Sequence, residues 1–133
     1  DIATLEHLKG LELLNLSNTE VKGSITSLKS LPMLRIADLS NTQVVGDLNE
    51  IELQLRNTEV KGNKSTFEDL APFPRLEWLN LGNTMVNGSL HSLQNCRALR
   101  GLCLHNTDVD GDLSSLQNLT SMQELRLSNT KVV

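Results

Sequence analysis

The dipeptide Asn-Thr recurs along this 133-residue chain, and no other feature constrains its fold as strongly. It occurs six times, and successive copies are separated by 23, 16, 26, 23 and 23 residues. Similar residues surround each copy, as between Leu76 and Cys96, and together they form the 23-position pattern LxxLxLxNTxVxGxLxxLxxLxx. Such a period is typical of stacked structural units, each of which cannot bury its apolar side alone.

The pattern within one copy predicts a strand, a turn and a return arm. Leucines at positions 4 and 6 point to one side and positions 3, 5 and 7 to the other, as in Leu79-Asn80-Leu81. Stacked copies then form a parallel sheet with strands about 4.8 Å apart. Glycine at position 13 suits a corner with positive φ. Apolar residues at positions 15, 18 and 21 favour 3₁₀ turns or extended chain over a long α-helix.

The repeated threonines are predicted to have a structural role. A hydroxyl at the same place in every copy can hydrogen-bond to the neighbouring turn and so form a ladder along the stack. These residues are Thr19, Thr42, Thr58, Thr84, Thr107 and Thr130. For the preceding asparagines two interpretations stay open: a cap on their own turn, or a lining of the rim of the sheet face.

This pattern resembles the leucine-rich repeat family over essentially the whole chain. The family's core segment is LxxLxLxxNxL, and here threonine takes the ninth position with asparagine just before it. Glycine at position 13 is similar to the plant-type subclass, but proline at position 16 is absent. The repeat is therefore intermediate between plant-type and shorter intracellular repeats. The residues found at position 16 are Thr26, Asn49, His91 and Ser114.

The resemblance implies an α/β-type repeat solenoid, right-handed by the usual crossover rule. We expect a parallel sheet of six short strands on the concave face and 3₁₀ or extended return arms on the convex side. Residues 1–133 then form a single domain of about five and a half repeats without recognisable caps, which we expect to be part of a longer array. With 27 leucines and three aromatic residues, the core consists of many similar small layers.

Two copies depart from the regular length. The second is seven residues short between Gly46 and Leu53. Either its return arm is nearly straight, since seven residues span at most about 24 Å, or residues are missing from the sequence at that point. In the third copy, residues 63–66 are polar and predict a surface loop. The apolar positions of its longer arm, which we interpret as core, are Phe67, Leu70 and Phe73.

The concave face is the expected site of partner binding, through the side chains at positions 3, 5 and 7. The predicted binding residues are Trp78, Arg56, Asn80, His105, Cys103, Gln54, Arg126 and Glu52. Leu13 and Ile36 form a second, smaller apolar patch.

Trp78 is the only tryptophan, and tryptophan is enriched among interface anchors. Its predicted neighbours are Glu52 and Gly101, and the glycine leaves an open notch beside the ring. Trp78 is interpreted as an anchor; the alternative is a ring folded flat over the sheet as cover.

The sequence predicts no catalytic residue, metal site or cofactor, and hence no enzyme. Cys103 and His105 lie two apart on one strand, but a catalytic thiol needs its base within hydrogen-bond reach, and a structural zinc site needs four ligands. Cys96 is expected in the core of the opposite arm, too far from Cys103 for a disulfide.

Charge and hydropathy exclude two classes of partner. A net charge of −4 argues against a nucleic-acid-binding surface, and no apolar run approaches the roughly 20 residues that insert into a membrane. Two cysteines and no visible signal peptide favour a reducing, intracellular compartment. Four Asn-x-Ser/Thr sites keep a secreted protein or receptor ectodomain fragment open.

We therefore expect a non-catalytic module that binds a protein or peptide ligand through the concave face. Two alternatives stay open. One is an assembly segment that makes contacts through its convex side or its open ends, including self-association. The other is a repeat region that regulates an enzyme domain absent from this chain.

Overall fold

Short parallel strands alternate between two sheets in the computed structural model, which describes residues 1–50 and 74–133. The LxL segments form the first sheet, whose strands in order are β1 (Leu13–Asn15), β3 (Ile36–Asp38), β5 (Trp78–Asn80), β7 (Gly101–Cys103) and β9 (Glu124–Arg126). The segments after the Asn-Thr turns form the second sheet, which contains β2 (Lys22–Ser24), β4 (Gln43–Asp47), β6 (Met85–Ser89), β8 (Asp108–Gly111) and β10 (Lys131–Val132).

The return arms contain short 3₁₀ helices, as predicted, at Ile2–Leu5, Ile25–Ser30, Leu90–Leu93 and Leu113–Leu116. The side chain just before each helix caps it by accepting a hydrogen bond from the backbone N–H two residues on. The capping residues are Asp1, Ser24, Ser89 and Asp112.

The second sheet was not predicted. The sequence predicts a corner with positive φ at position 13, and the glycines there, Gly23, Gly46, Gly88 and Gly111, have φ between 101° and 132°. The residues around each glycine nevertheless pair with the next coil.

Leucine and valine side chains fill the space between the two sheets. In the central coils the leucine at position 6 is fully buried, and so is the valine that follows the turn. These residues are Leu39, Leu81, Leu104, Val44, Val86 and Val109. The core is therefore a stack of similar aliphatic layers, as the composition predicts.

Each described turn contains an asparagine with a left-handed backbone, with φ between 54° and 57°. Asparagine tolerates this conformation better than most residues that carry a side chain. The side-chain amides form a row along the stack, in which each Nδ2 donates to Oδ1 of the preceding asparagine at 2.5 to 2.8 Å. The row, called the asparagine ladder below, consists of Asn18, Asn41, Asn83, Asn106 and Asn129.

The threonines bond within their own turn, which corrects the prediction of a threonine ladder. Each described Oγ1 donates to the carbonyl oxygen three residues earlier, at 2.6 to 2.7 Å, as Thr84 does to Leu81. A hydroxyl has a single proton to donate, so this bond leaves none for the neighbouring turn. Thr19, Thr42, Thr107 and Thr130 do the same, and Thr58 lies outside the described residues.

The second copy stacks directly on the fourth, which corrects the predicted order of six strands. Strand β3 pairs with β5 in register, with Ile36 beside Trp78. The contact is direct, since the backbone N–H of Leu39 donates to the carbonyl oxygen of Asn80 at 2.8 Å. The described sheet has five strands. The predicted third strand, and the core positions assigned to Phe67, Leu70 and Phe73, lie outside the described residues.

The asparagine ladder yields a test of stability. Replacing Asn83 by alanine removes amide bonds to both neighbouring coils, and alanine tolerates the left-handed backbone at this position less well than asparagine does. We expect the free energy of unfolding, measured with urea, to fall by about 2 kcal/mol or more. Glycine at this position should cost less, since it adopts positive φ freely.

The control is Asn87→Ala, on the exposed side of β6 and outside the ladder. Equal, small losses for Asn83→Ala and Asn87→Ala would show that the ladder contributes nothing.

Candidate functional site

Three apolar side chains form a continuous row on the outer face of the first sheet, the side directed away from the core. Leu13, Ile36 and Trp78 occupy position 3 of successive strands and are paired in register. Leu13 is 59% exposed, and the other two are half-buried. The sequence separated Leu13 and Ile36 from Trp78 by Glu52, but the direct pairing of β3 with β5 joins them. We call these three residues the apolar stripe.

Charged residues at position 2 run along one edge of the apolar stripe. Arg35 Nε lies 2.8 Å from Glu77 Oε1, and Arg35 Nη1 lies 3.4 Å from Glu12 Oε2. The hydrogen bond from Arg35 holds the pKa of the Glu77 carboxyl below its usual value. One guanidinium thus links three coils, and Arg100 continues the alternation of charge at the same position of the next coil.

An open depression of about 450 Å³ lies beside Trp78, between the apolar stripe and the charged row. Ile36 and Trp78 provide its apolar wall, and Glu77, Arg100 and Gln123 provide its polar rim. A depression of this composition can take an apolar side chain while polar groups at its edge remain hydrated.

The Trp78 ring is seated on the backbone of Gly101, so the predicted open notch is filled by the ring itself. A β-carbon at residue 101 would collide with the indole. Just beyond the carboxyl ends of the same two strands, the His105 ring covers Gly82 in the same manner. Glycine in a strand commonly marks such a close approach. Both rings therefore pack closely against a glycine of the adjoining coil.

Position 5 of strands β1, β3 and β5 carries a polar side chain that caps the turn after the strand. Asp38 Oδ1 accepts hydrogen bonds from the backbone N–H and the hydroxyl of Ser40, at 3.0 and 2.7 Å. Asn15 makes the same two bonds to Ser17. Asn80 Oδ1 accepts from the backbone N–H two residues on, at 3.1 Å. Asparagine and aspartate are thus equivalent as caps at this position.

Cys103 is 3% exposed, although its position predicted a surface side chain. Burial, and to a lesser extent the charge of Glu124, raise the pKa of the Cys103 thiol above its usual value. A neutral, buried thiol is a poor nucleophile. The Nδ1 atom of His105 is also buried and has no hydrogen-bond partner, and its Nε2 lies 3.3 Å from Asn83 Nδ2. Cys103 and His105 are therefore not arranged as a nucleophile and base.

The remaining predicted site residues fall into two groups. Arg126 lies at the edge of the described sheet and pairs with Glu124 at 2.6 Å. Glu52, Gln54 and Arg56 lie outside the described residues. The sequence analysis missed the charged row at position 2. Its alternation of Glu and Arg is visible in the sequence when the first, second, fourth and fifth copies are compared.

The seat of Trp78 can be tested by its fluorescence, since it is the only tryptophan. In Gly101→Ala the new β-carbon should displace the indole into solvent, because φ at residue 101 is not in the left-handed region and the backbone can stay in place. We expect emission at longer wavelength and stronger quenching by acrylamide. Gly82→Ala is the matched control, since it disturbs His105 and should leave Trp78 emission unchanged. Unaltered emission in Gly101→Ala would contradict the packing of the Trp78 ring on Gly101.

No helix in residues 1–50 and 74–133 has the length and apolar character that crossing a bilayer requires. In the same part of the chain, no three or more His, Cys, Asp or Glu side chains are grouped so that they could hold a metal ion.

Comparison with solved structures identifies the fold. The plant peptide hormone receptor RGFR1, solved in complex with RGF2, superposes with a TM-score of 0.73 at 20% identity, over 98% of this chain and 18% of the receptor. The leucine-rich repeat ectodomain of the Arabidopsis thaliana receptor kinase GASSHO1/SCHENGEN3, solved with CASPARIAN STRIP INTEGRITY FACTOR 2, gives 0.72 at 26% identity, over 96% of this chain and 14% of that chain. Internalin C2 from Listeria monocytogenes gives 0.69 at 22% identity, over 100% and 49%.

The chain thus spans less than half the length of each of these three proteins. No protein-family model and no curated protein matches it. The two parallel sheets, the 3₁₀ arms and these superpositions agree with the resemblance found in the sequence. The chain has the leucine-rich repeat fold.

Proposed function

We propose that this chain is a non-catalytic module that binds a protein or peptide partner through the outer face of the first sheet. The binding surface is centred on the apolar stripe, and Trp78 is its anchor. The observation that carries the proposal is the continuity of the stripe across three strands of one exposed face.

The surroundings of Trp78 favour an anchor over a cover. Because the Trp78 ring already packs against Gly101, it loses little conformational freedom when a partner covers it. Such preorganisation favours binding. The ring also forms the wall of an open depression, so part of it remains available for contact. Leu13 has no comparable seat, and its exposed side chain costs free energy in water unless a partner covers it.

The solved structures with this fold point in the same direction. Two of them, RGFR1 and GASSHO1/SCHENGEN3, were solved in complex with a peptide hormone or an integrity factor, and a third is the complex of BIR3 with SERK2. These are properties of those proteins, and we extend to this chain only the general role of partner binding.

The proposal is tested by selecting random dodecapeptides displayed on phage against the intact chain. We expect an enriched pool that binds the wild type and binds Trp78→Ala at least roughly thirtyfold more weakly, which corresponds to about 2 kcal/mol for a central anchor. Ile36→Ser should weaken binding in the same direction.

Met85→Ala is the matched control. Met85 is 61% exposed and apolar, but it lies on the second sheet, so its loss should leave binding unchanged. Thermal unfolding would verify that each variant is folded. The proposal would be contradicted by a pool that binds Trp78→Ala with the same affinity as the wild type, or by a pool whose binding depends on Met85.

A further inference from the structure

Asp38 carries an uncompensated charge on the binding face. The other carboxylates on this face in the described residues are engaged: Glu12 and Glu77 by Arg35, and Glu124 by Arg126. Within residues 1–50 and 74–133 no Lys or Arg lies within ion-pair distance of Asp38. In the same part of the chain the only hydrogen bonds of its carboxylate are to Ser40 through Oδ1, so Oδ2 is left to accept from a ligand.

The charge of Asp38 has no structural role in the turn. At the same position in the neighbouring strands, Asn15 and Asn80 accept the same kind of bond with a neutral amide. Asparagine at residue 38 would therefore keep the cap and lose only the charge. A half-buried carboxylate loses part of its hydration, and a cationic partner compensates for that loss.

Asp38 lies next to the apolar stripe on the same face of the sheet. It follows Ile36 by two residues on β3, so both side chains project from the same face roughly 6.6 Å apart. Side chains two residues apart in an extended peptide have the same separation. A partner that places an apolar side chain in the depression beside Ile36 and Trp78 can therefore place its next side chain on that face at Asp38.

We propose that the partner's contact segment is a peptide strand with an apolar residue and, two residues away, a lysine or arginine that pairs with Asp38. Asp38 is then the residue that determines specificity for a cationic ligand. This inference rests on the proposed function and adds to it the chemistry of the ligand.

The test uses the same phage-displayed dodecapeptides, selected in parallel on the wild type, Asp38→Asn and Asp38→Lys. On the wild type we expect enrichment of an apolar residue with Lys or Arg two positions away. Asp38→Asn should lose the preference for the basic residue, and Asp38→Lys should replace it with Asp or Glu. A selected basic peptide, synthesised and titrated, should bind Asp38→Asn about tenfold more weakly, and high salt should reduce this difference.

Asp110→Asn is the matched control, since it removes one negative charge from the second sheet and should leave the selection unchanged. Pools that bind through Trp78 but show no basic preference, or a preference that Asp38→Asn leaves intact, would overturn this inference and leave the proposed function standing. The absence of any Trp78-dependent pool would overturn both.

Discussion

The hydrogen bonds between turn asparagines fix how one coil lies on the next. Each of these residues adopts a left-handed backbone conformation, and its amide binds the same group of the neighbouring coil. Because equivalent residues are tied together, the strands of the first sheet must stack in register. Residues at the same position of successive copies therefore form rows across the outer face.

That register explains the arrangement of the face. Asn41 bonds Asn83 directly, so position 3 reads Leu13, Ile36 and Trp78 without interruption. Position 2 forms alternating ion pairs for the same reason, and position 5 presents one negative charge in the described strands, that of Asp38, between the neutral caps Asn15 and Asn80. The apolar stripe and the row of ion pairs beside it are consequences of the direct pairing of the second copy with the fourth.

The sequence was sufficient for what repeats in every copy. The strand, the 3₁₀ arms and the glycine corners follow from periodicity and from the backbone preference of each residue. It could not show which of two polar side chains, Asn or Thr, reaches the next coil, since both can bond to a turn. The sequence also assigned Trp78 the wrong neighbour. The second and third copies differ in length from the regular repeat, but their lengths alone do not show which copies stack on each other. The burial of Cys103 likewise depends on side chains of neighbouring coils.

The direct contact between the second and fourth copies can be tested most directly by measuring proximity between Ile36 and Trp78. In a sample with labelled isoleucine methyl groups, nuclear Overhauser effects to the single indole should identify its neighbours without ambiguity. We expect a strong effect from the Ile36 methyl, because opposed side chains in adjacent strands lie about 5 Å apart at their β-carbons. We expect none from Ile2 or Ile25, which are buried on the return arms. No effect from Ile36, together with backbone effects between Trp78 and Glu52, would contradict the direct contact between the two copies.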